Sequence, residues 1–236
     1  MILVRRIAAA LAAAIGILII AQLTLPRALE ARIERALSRS FEEASLVRAE
    51  IRSVPAVELL WGRIDRAELE LRRVVLGEIA VDAVRVDGEE LWVDAPKLFR
   101  GEGVDVKAAK ALRATLVLTE EDVNQYFWSR IQGAKRFRVS LERGQARVAG
   151  SFSLFGREFD VRVNGKFRVA GPASVAFVPE QVSVDDAAVP QFLIDLVASE
   201  WQLLLHFGEA PFSIAIEDLL IEDGRLWVYG ARPAGG

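Results

Sequence analysis

Residues 137–169 read FRVSLERGQARVAGSFSLFGREFDVRVNGKFRV, and the period of that stretch decides the fold. Phe137, Val139 and Leu141 alternate with Arg138, Ser140 and Glu142. After a turn at Gly144 the alternation resumes at Ala146, Val148, Gly150, Phe152 and Leu154. Gly156 turns the chain again, and Phe159, Val161, Val163, Gly165, Phe167 and Val169 keep the same period. Successive side chains of a strand point to opposite faces, so the stretch predicts an antiparallel meander with one buried face. The outward residues are Arg138, Arg143, Arg147, Arg157, Arg162 and Arg168 with scattered acids, a composition that belongs in water.

Beyond Gly171-Pro172, two shorter strands are predicted, one at Val175 and Phe177 and one at Val182 and Val184. Pro190 is placed to start a helix. Phe192, Leu193, Leu196, Val197, Trp201, Leu204 and Phe207 give that helix a broad apolar face, closed by Gly208 and Pro211. Ile214 and Ile216, then Leu226 and Val228 after the turn Asp223-Gly224, read as a last strand pair.

Upstream, Thr119 caps a helix whose first turn carries Glu120, Glu121 and Asp122 against its dipole. Val123, Tyr126, Phe127 and Ile131 form its apolar stripe, Gly133 ends it, and Asn124 falls on its polar side, a surface position. Val47, Ala49 and Ile51 alternate with charges until Pro55, and Val57–Trp61 reads as a helical turn closed by Gly62. A strand follows at Ile64, Ala67, Leu69 and Leu71. After Gly77 the apolar phase slips by one near Ala83, which a bulge accounts for. Asp87-Gly88 is a turn signal before Leu91 and Val93, and Pro96 with Gly101–Gly103 marks a loop.

The N-terminal stretch Ile7–Leu25 is apolar except for Gln22 and Thr24. At 1.5 Å per residue its length is roughly 28 Å, the thickness of a bilayer core. Arg5 and Arg6 precede it, which by the positive-inside rule keeps the N-terminus in the cytoplasm and exports the rest; Arg27, Arg32 and Arg35 pull the other way. The alternative is a cleaved signal peptide, but no convincing pair of small residues follows Ile20. After Pro26, the positions Leu29, Ile33, Leu37 and Phe41 recur every fourth residue, an amphipathic helix whose charges read as a solvated face.

Several classes are excluded. The chain has 236 residues, 52% of them apolar, enough for a sizeable core. Its net charge is −3 with both signs interspersed, so no basic stripe exists to neutralise nucleic-acid phosphates. There is no cysteine, hence no disulfide, thiolate zinc site or lipidated cysteine. The single histidine, His206, follows three leucines near a predicted helix end and reads as a packed or capping residue. Asp82, Asp87, Glu89, Glu90 and Asp94 lack the spacing of calcium loops. Gly101-Glu102-Gly103 is too short to cradle a phosphate. No catalytic residue, metal or cofactor is expected.

What remains is a large apolar interior. It is either a close-packed core or a core opened into an elongated cleft for acyl chains, and both demand the same inward residues. The candidates for the cleft wall are Leu69, Leu71, Val81, Phe137, Val139, Phe152, Phe159, Val161, Phe167, Phe192 and Leu196. Trp61 and Trp201 read as core residues, with a place at a membrane interface as the alternative.

The order of features resembles the LmeA-like phospholipid-binding family of bacterial envelopes. The match rests on the N-terminal apolar segment with its amphipathic helix, on Leu59–Val93 with Trp61-Gly62-Arg63-Ile64-Asp65, and on Leu118-Thr119-Glu120-Glu121-Asp122-Val123-Asn124, where valine stands in place of the family's leucine. It continues from Phe155-Gly156-Arg157 through Val182-Ser183-Val184 to Ile221-Glu222-Asp223-Gly224-Arg225-Leu226. The long segment Phe192–Phe212 departs from the pattern. The resemblance implies an α+β fold in which a curved, mainly antiparallel β-sheet wraps around amphipathic helices, similar to tubular lipid-binding domains. It also implies phospholipid held in an apolar cleft and a role in the cell envelope.

The expected organisation is a transmembrane anchor over residues 1–25, an amphipathic helix over 26–46 and a β-rich domain over 47–232. Strands-then-helix occurs twice in that domain, over about 47–133 and 134–232. The expected protein is a single-pass membrane protein with its main domain outside the cytoplasm, partnered by membrane phospholipid and by the bilayer through its N-terminal helix, not by nucleic acid. A structural or regulatory partner of an envelope enzyme, without lipid, is the alternative. A lipid hydrolase using His206 is a third.

Overall fold

The computed structural model describes residues 2–41, 44–100, 103–131, 133–154, 156–185, 187–188, 203–207 and 214–232. The chain divides into two compact units. The first holds the residues up to Leu71 with Arg85–Leu112, and the second holds Arg72–Val84 with the chain from Arg113 onward.

The first unit is organised by one helix, α1 (Ile2–Ser40). The helix continues through Pro26 instead of restarting there. A proline removes one backbone hydrogen bond and crowds the carbonyls behind it. In the turns around it Thr24 Oγ1 donates to the Ile20 carbonyl and Arg27 Nη1 to the Leu23 carbonyl, each at 2.8 Å. Leu29, Ile33 and Leu37 are buried as their spacing predicts. They pack α1 on strand β1 (Leu46–Arg52).

β1 is the edge of a six-stranded sheet ordered β1-β2-β3-β4-β12-β11. Its members are β2 (Arg63–Leu76), β3 (Ile79–Val93), β4 (Val106–Thr119), β11 (Ala215–Glu222) and β12 (Arg225–Ala231). An unpaired edge leaves backbone groups to satisfy. The acids of α1, read from sequence as solvated, do that: Glu34 Oε1 accepts from the Ala49 N–H at 3.0 Å and Glu30 Oε1 from the Ile51 N–H at 2.8 Å. Between β1 and β2 lies the expected helical turn, a 3-10 helix at Ala56–Trp61. A short helix, α2 (Ala95–Arg100), follows β3.

β3 crosses Asp87-Gly88 without turning. Gly88 is there because a Cβ would meet the Leu91 side chain at 2.8 Å, and the chain irregularity comes two residues later, where Glu90 adopts a φ of 46°. Burial along β3 slips at Ala83, as expected, and again at Glu90.

In the second unit α3 (Glu120–Arg130) follows β4 and packs on β5 (Phe137–Glu142). β5, β6 (Gln145–Leu154), β7 (Arg157–Gly171) and β8 (Ser174–Val184) form the predicted antiparallel meander. The two short strands expected after Gly171 are one strand, β8, with a register shift against Asn164/Gly165 that absorbs Pro179. β9 (Ala187–Ala188) pairs with one end of β8, and β10 (Leu204–His206) with the other. The second sheet thus reads β10-β8-β7-β6-β5, with β9 beside β8. The strands therefore divide between two sheets.

Leu204–His206 was expected in a helix and is a strand. Leu203, Leu205 and Phe207 are buried while Leu204 and His206 are exposed, a period of two. An exposed leucine disguised that alternation. Residues 189–202, which include Phe192, Leu196 and Trp201, lie outside the described residues.

Candidate functional site

The second sheet carries its apolar side chains in rows set by register. Phe137 pairs with Gly150, which pairs with Val161, which pairs with Val184. The next row is Val139, Val148, Val163 and Val182. Phe167 faces Phe177 with ring centroids 5.6 Å apart, edge to face. Two glycines make room for rings: a Cβ on Gly150 would stand 2.6 Å from the Phe137 ring, and one on Gly165 2.8 Å from the Phe177 ring. The glycines in the alternating pattern are therefore apolar-face positions on which phenylalanines rest.

The rows are not equally closed. Phe137, Val139, Val148, Val163, Phe167, Phe177 and Val182 are buried. Toward the β6–β7 turn, Phe152, Phe159, Val161 and Val184 stay half-buried. Phe152 and Phe159 are register partners, with rings stacked 5.4 Å apart. Arg157, read from sequence as an outward residue, stands two positions before Phe159 on the same face; its guanidinium lies 5.1 Å from the Phe159 ring centroid. Its Nη2 reaches Asp185 Oδ2 at 3.4 Å. The site is an apolar sheet face that ends in a half-open aromatic pair with a cation over it.

Of the candidates named from sequence, Phe137, Val139, Phe152, Phe159, Val161 and Phe167 share this face. Val81 is buried in the same unit, and Leu69 and Leu71 are buried in the first unit. Phe192 and Leu196 lie outside the described residues.

α3 holds the closed end. Thr119 caps it, and Asp122 Oδ2 accepts from the Thr119 N–H at 2.8 Å, a reciprocal capping box. Asn124, read as a surface residue, is fully buried. Three side chains of α3 at every fourth position satisfy the free edge of β5. Glu120 Oε1 accepts from the Leu141 N–H at 2.6 Å, Asn124 takes both backbone groups of Val139, and Trp128 Nε1 donates to the Phe137 carbonyl at 2.8 Å. Tyr126 Oη donates to the Leu204 carbonyl at 2.8 Å, tying β10 to the same helix, and burial pushes its phenol up from its ordinary value. Sequence reasoning had a signal for this set, polar residues at 120, 124 and 128 beside the apolar stripe, and passed over it.

His206 is exposed on β10, directly opposite Ser174 in the register, and Nδ1 lies 2.9 Å from Ser174 Oγ. The pairing of two strand neighbours accounts for that contact. Among the described residues, no three His, Asp or Glu side chains gather as a metal site.

The architecture is that of an α+β protein with one N-terminal helix long and apolar enough to cross a membrane, antiparallel sheets, and helices whose side chains close the sheet edges. The chain belongs to the LmeA-like phospholipid-binding family, whose model matches residues 20–231. Comparison with curated proteins gives no match, and comparison with solved structures gives none either.

Proposed function

We propose that this protein is a membrane-anchored phospholipid-binding protein of the cell envelope, not an enzyme, and that acyl chains lie against the second sheet's apolar face. Family membership across residues 20–231 supports the ligand class. The observation that carries the site is the half-buried set Phe152, Phe159, Val161 and Val184, continuous with a fully buried apolar face. Antiparallel sheets with helices along their edges suit a tubular lipid-binding-like arrangement.

Moving an acyl chain from water onto such a face is favourable by about 0.8 kcal/mol per methylene. Relative to the bilayer that gain nearly cancels, so binding is an exchange decided at the headgroup. Arg157, at the open end, is the residue placed to receive a phosphate, by turning from Asp185. α1 supplies the anchor, and Arg5 and Arg6 before the span favour a main domain outside the cytoplasm.

The test is photolabelling of the full chain in nanodiscs with a phospholipid bearing a diazirine in its acyl chain, followed by peptide mapping. Label in β6 and β7 around Phe152–Val161 is expected. Label confined to α1 overturns the site and favours a scaffold role beside an envelope enzyme.

A further inference from the structure

The first unit ends in an apolar tip at the level where α1 loses its packing partners. The partners of β1 fix that level. Going down α1 toward its N-terminus, Glu34 meets Ala49, Glu30 meets Ile51, and Gln22 meets the next turn of chain: its Nε2 donates to the Ser53 carbonyl at 2.8 Å and its Oε1 accepts from the Ala56 N–H at 2.7 Å. Beyond Gln22 the helix is bare over Leu11–Ile20. Leu11, Ile15, Ile17, Leu18, Ile19 and Ile20 are all exposed, and the apolar stretch that begins at Leu11 is unburied.

At the Gln22 level the chain turns through Val54-Pro55 and the 3-10 helix, then leaves along β2. Three apolar side chains at this turn face out, beside the acids Glu58 and Asp65, the latter accepting from the Val54 N–H at 2.9 Å. Val54 is 78% exposed, Trp61 68% and Leu60 47%. Trp92 adds another at 48%; it precedes Val93, whose N–H donates to the Gly62 carbonyl at 2.8 Å. Arginines stand immediately behind: Arg27 exposed on the next turn of α1, Arg52 before Ser53, and Arg63 after Gly62, the last paired with Glu58 at 3.3 Å. A tight turn in water has no reason to display a valine, a leucine and two tryptophans together. At a bilayer surface the same set is favourable, with indole rings at the headgroup level and guanidinium groups just above.

We propose that Val54, Leu60, Trp61 and Trp92 form a membrane seat, inserted into the interfacial layer of the bilayer that α1 crosses. The occupant follows from continuity: the tip is hydrogen-bonded through Gln22 to the helix position at which the bare apolar segment begins. The seat rests on the reading of α1 as a membrane span.

The absence of cysteine makes the test direct. Single-cysteine variants Val54→Cys, Leu60→Cys and Trp61→Cys of the full chain carry a nitrobenzoxadiazole label in phosphatidylethanolamine–phosphatidylglycerol vesicles with lipids brominated at shallow or deep acyl positions. Leu18→Cys reports the span, and Arg48→Cys, exposed on β1 beside the Ala49 that bonds Glu34, reports water. The seat predicts loss of fluorescence at positions 54, 60 and 61 with shallow bromines, deep quenching at 18 and none at 48. Quenching at 18 alone, with 54, 60 and 61 as bright as 48, overturns the seat and leaves the anchor standing. No quenching at 18 overturns the anchor, and the seat with it.

Discussion

The side-chain amide of Asn124 takes both backbone hydrogen bonds of Val139: Nδ2 donates to the carbonyl at 2.8 Å and Oδ1 accepts from the N–H at 2.7 Å. Within the fold the amide replaces the neighbouring strand that β5 lacks. The stretch from Thr119 to Asn124 that carries the family resemblance is thus a cap followed by an edge closure.

Asn124→Leu keeps the volume and removes both bonds, leaving a buried N–H and a buried carbonyl without partners. The expected loss is about 2–4 kcal/mol, read as a lower urea midpoint in detergent with the urea dependence unchanged. A midpoint equal to that of the unsubstituted chain would show that the edge does not need the amide.

Gly150→Ala forces a Cβ to within 2.3 Å of the Arg136 carbonyl and 2.6 Å of the Phe137 ring. Since one of these is backbone, a side-chain rotation cannot relieve it, and a loss of about 1–3 kcal/mol is expected. Gly165→Ala meets the Val178 carbonyl at 2.3 Å and should behave alike. Thermal unfolding of both variants checks the argument; stability equal to that of the unsubstituted chain would mean the strands shift freely.

Phe152→Ser with Phe159→Ser removes a stacked pair that is already half-open. The stability cost is the lost burial of two half-open rings together with about 0.5–1.5 kcal/mol for the stacked pair. Acyl-chain photolabelling of β6 and β7 should fall severalfold. Unchanged labelling would place the lipid elsewhere.

Asp94 caps α2: its Oδ1 accepts from the Lys97 N–H at 3.1 Å, and Lys107 Nζ stands 2.9 Å from Oδ2. The Lys107 hydrogen bond first, then the Lys97 N–H, holds its carboxyl below the ordinary 3.8. A carboxyl depressed in the folded state stabilises the fold above its unfolded value, about 3.9, and that contribution disappears as pH falls through the folded value. Lys107→Met should move the Asp94 titration upward in a carboxyl NMR experiment. A titration left in place would assign the shift to the backbone alone.

The meander was legible because its exposed positions are charged and its buried ones apolar, so the period shows. At Leu203–Phe207 the same period is invisible, since the exposed Leu204 is as apolar as its buried neighbours. Asp87-Gly88 misled because the glycine answers to Leu91 and not to a turn. Asn124, Glu30 and Glu34 were misplaced for one shared reason: a polar side chain on a helix looks solvated unless the strand edge beside it is known. Arg157 was legible as a residue and not as a position, because its face depends on where the turn ends.

The unbroken passage of α1 through Pro26 has a mechanical meaning. A helix of 39 residues is a rod about 58 Å long, and its far half is bonded to β1. With α1 across a bilayer, one continuous helix joins the part that lipid grips to the part that the first unit grips, with Pro26 between them. A thinner bilayer tilts a long apolar span, and the rod carries that tilt into the unit attached to it. For an α1 that spans the bilayer, the orientation of the first unit would follow local membrane thickness.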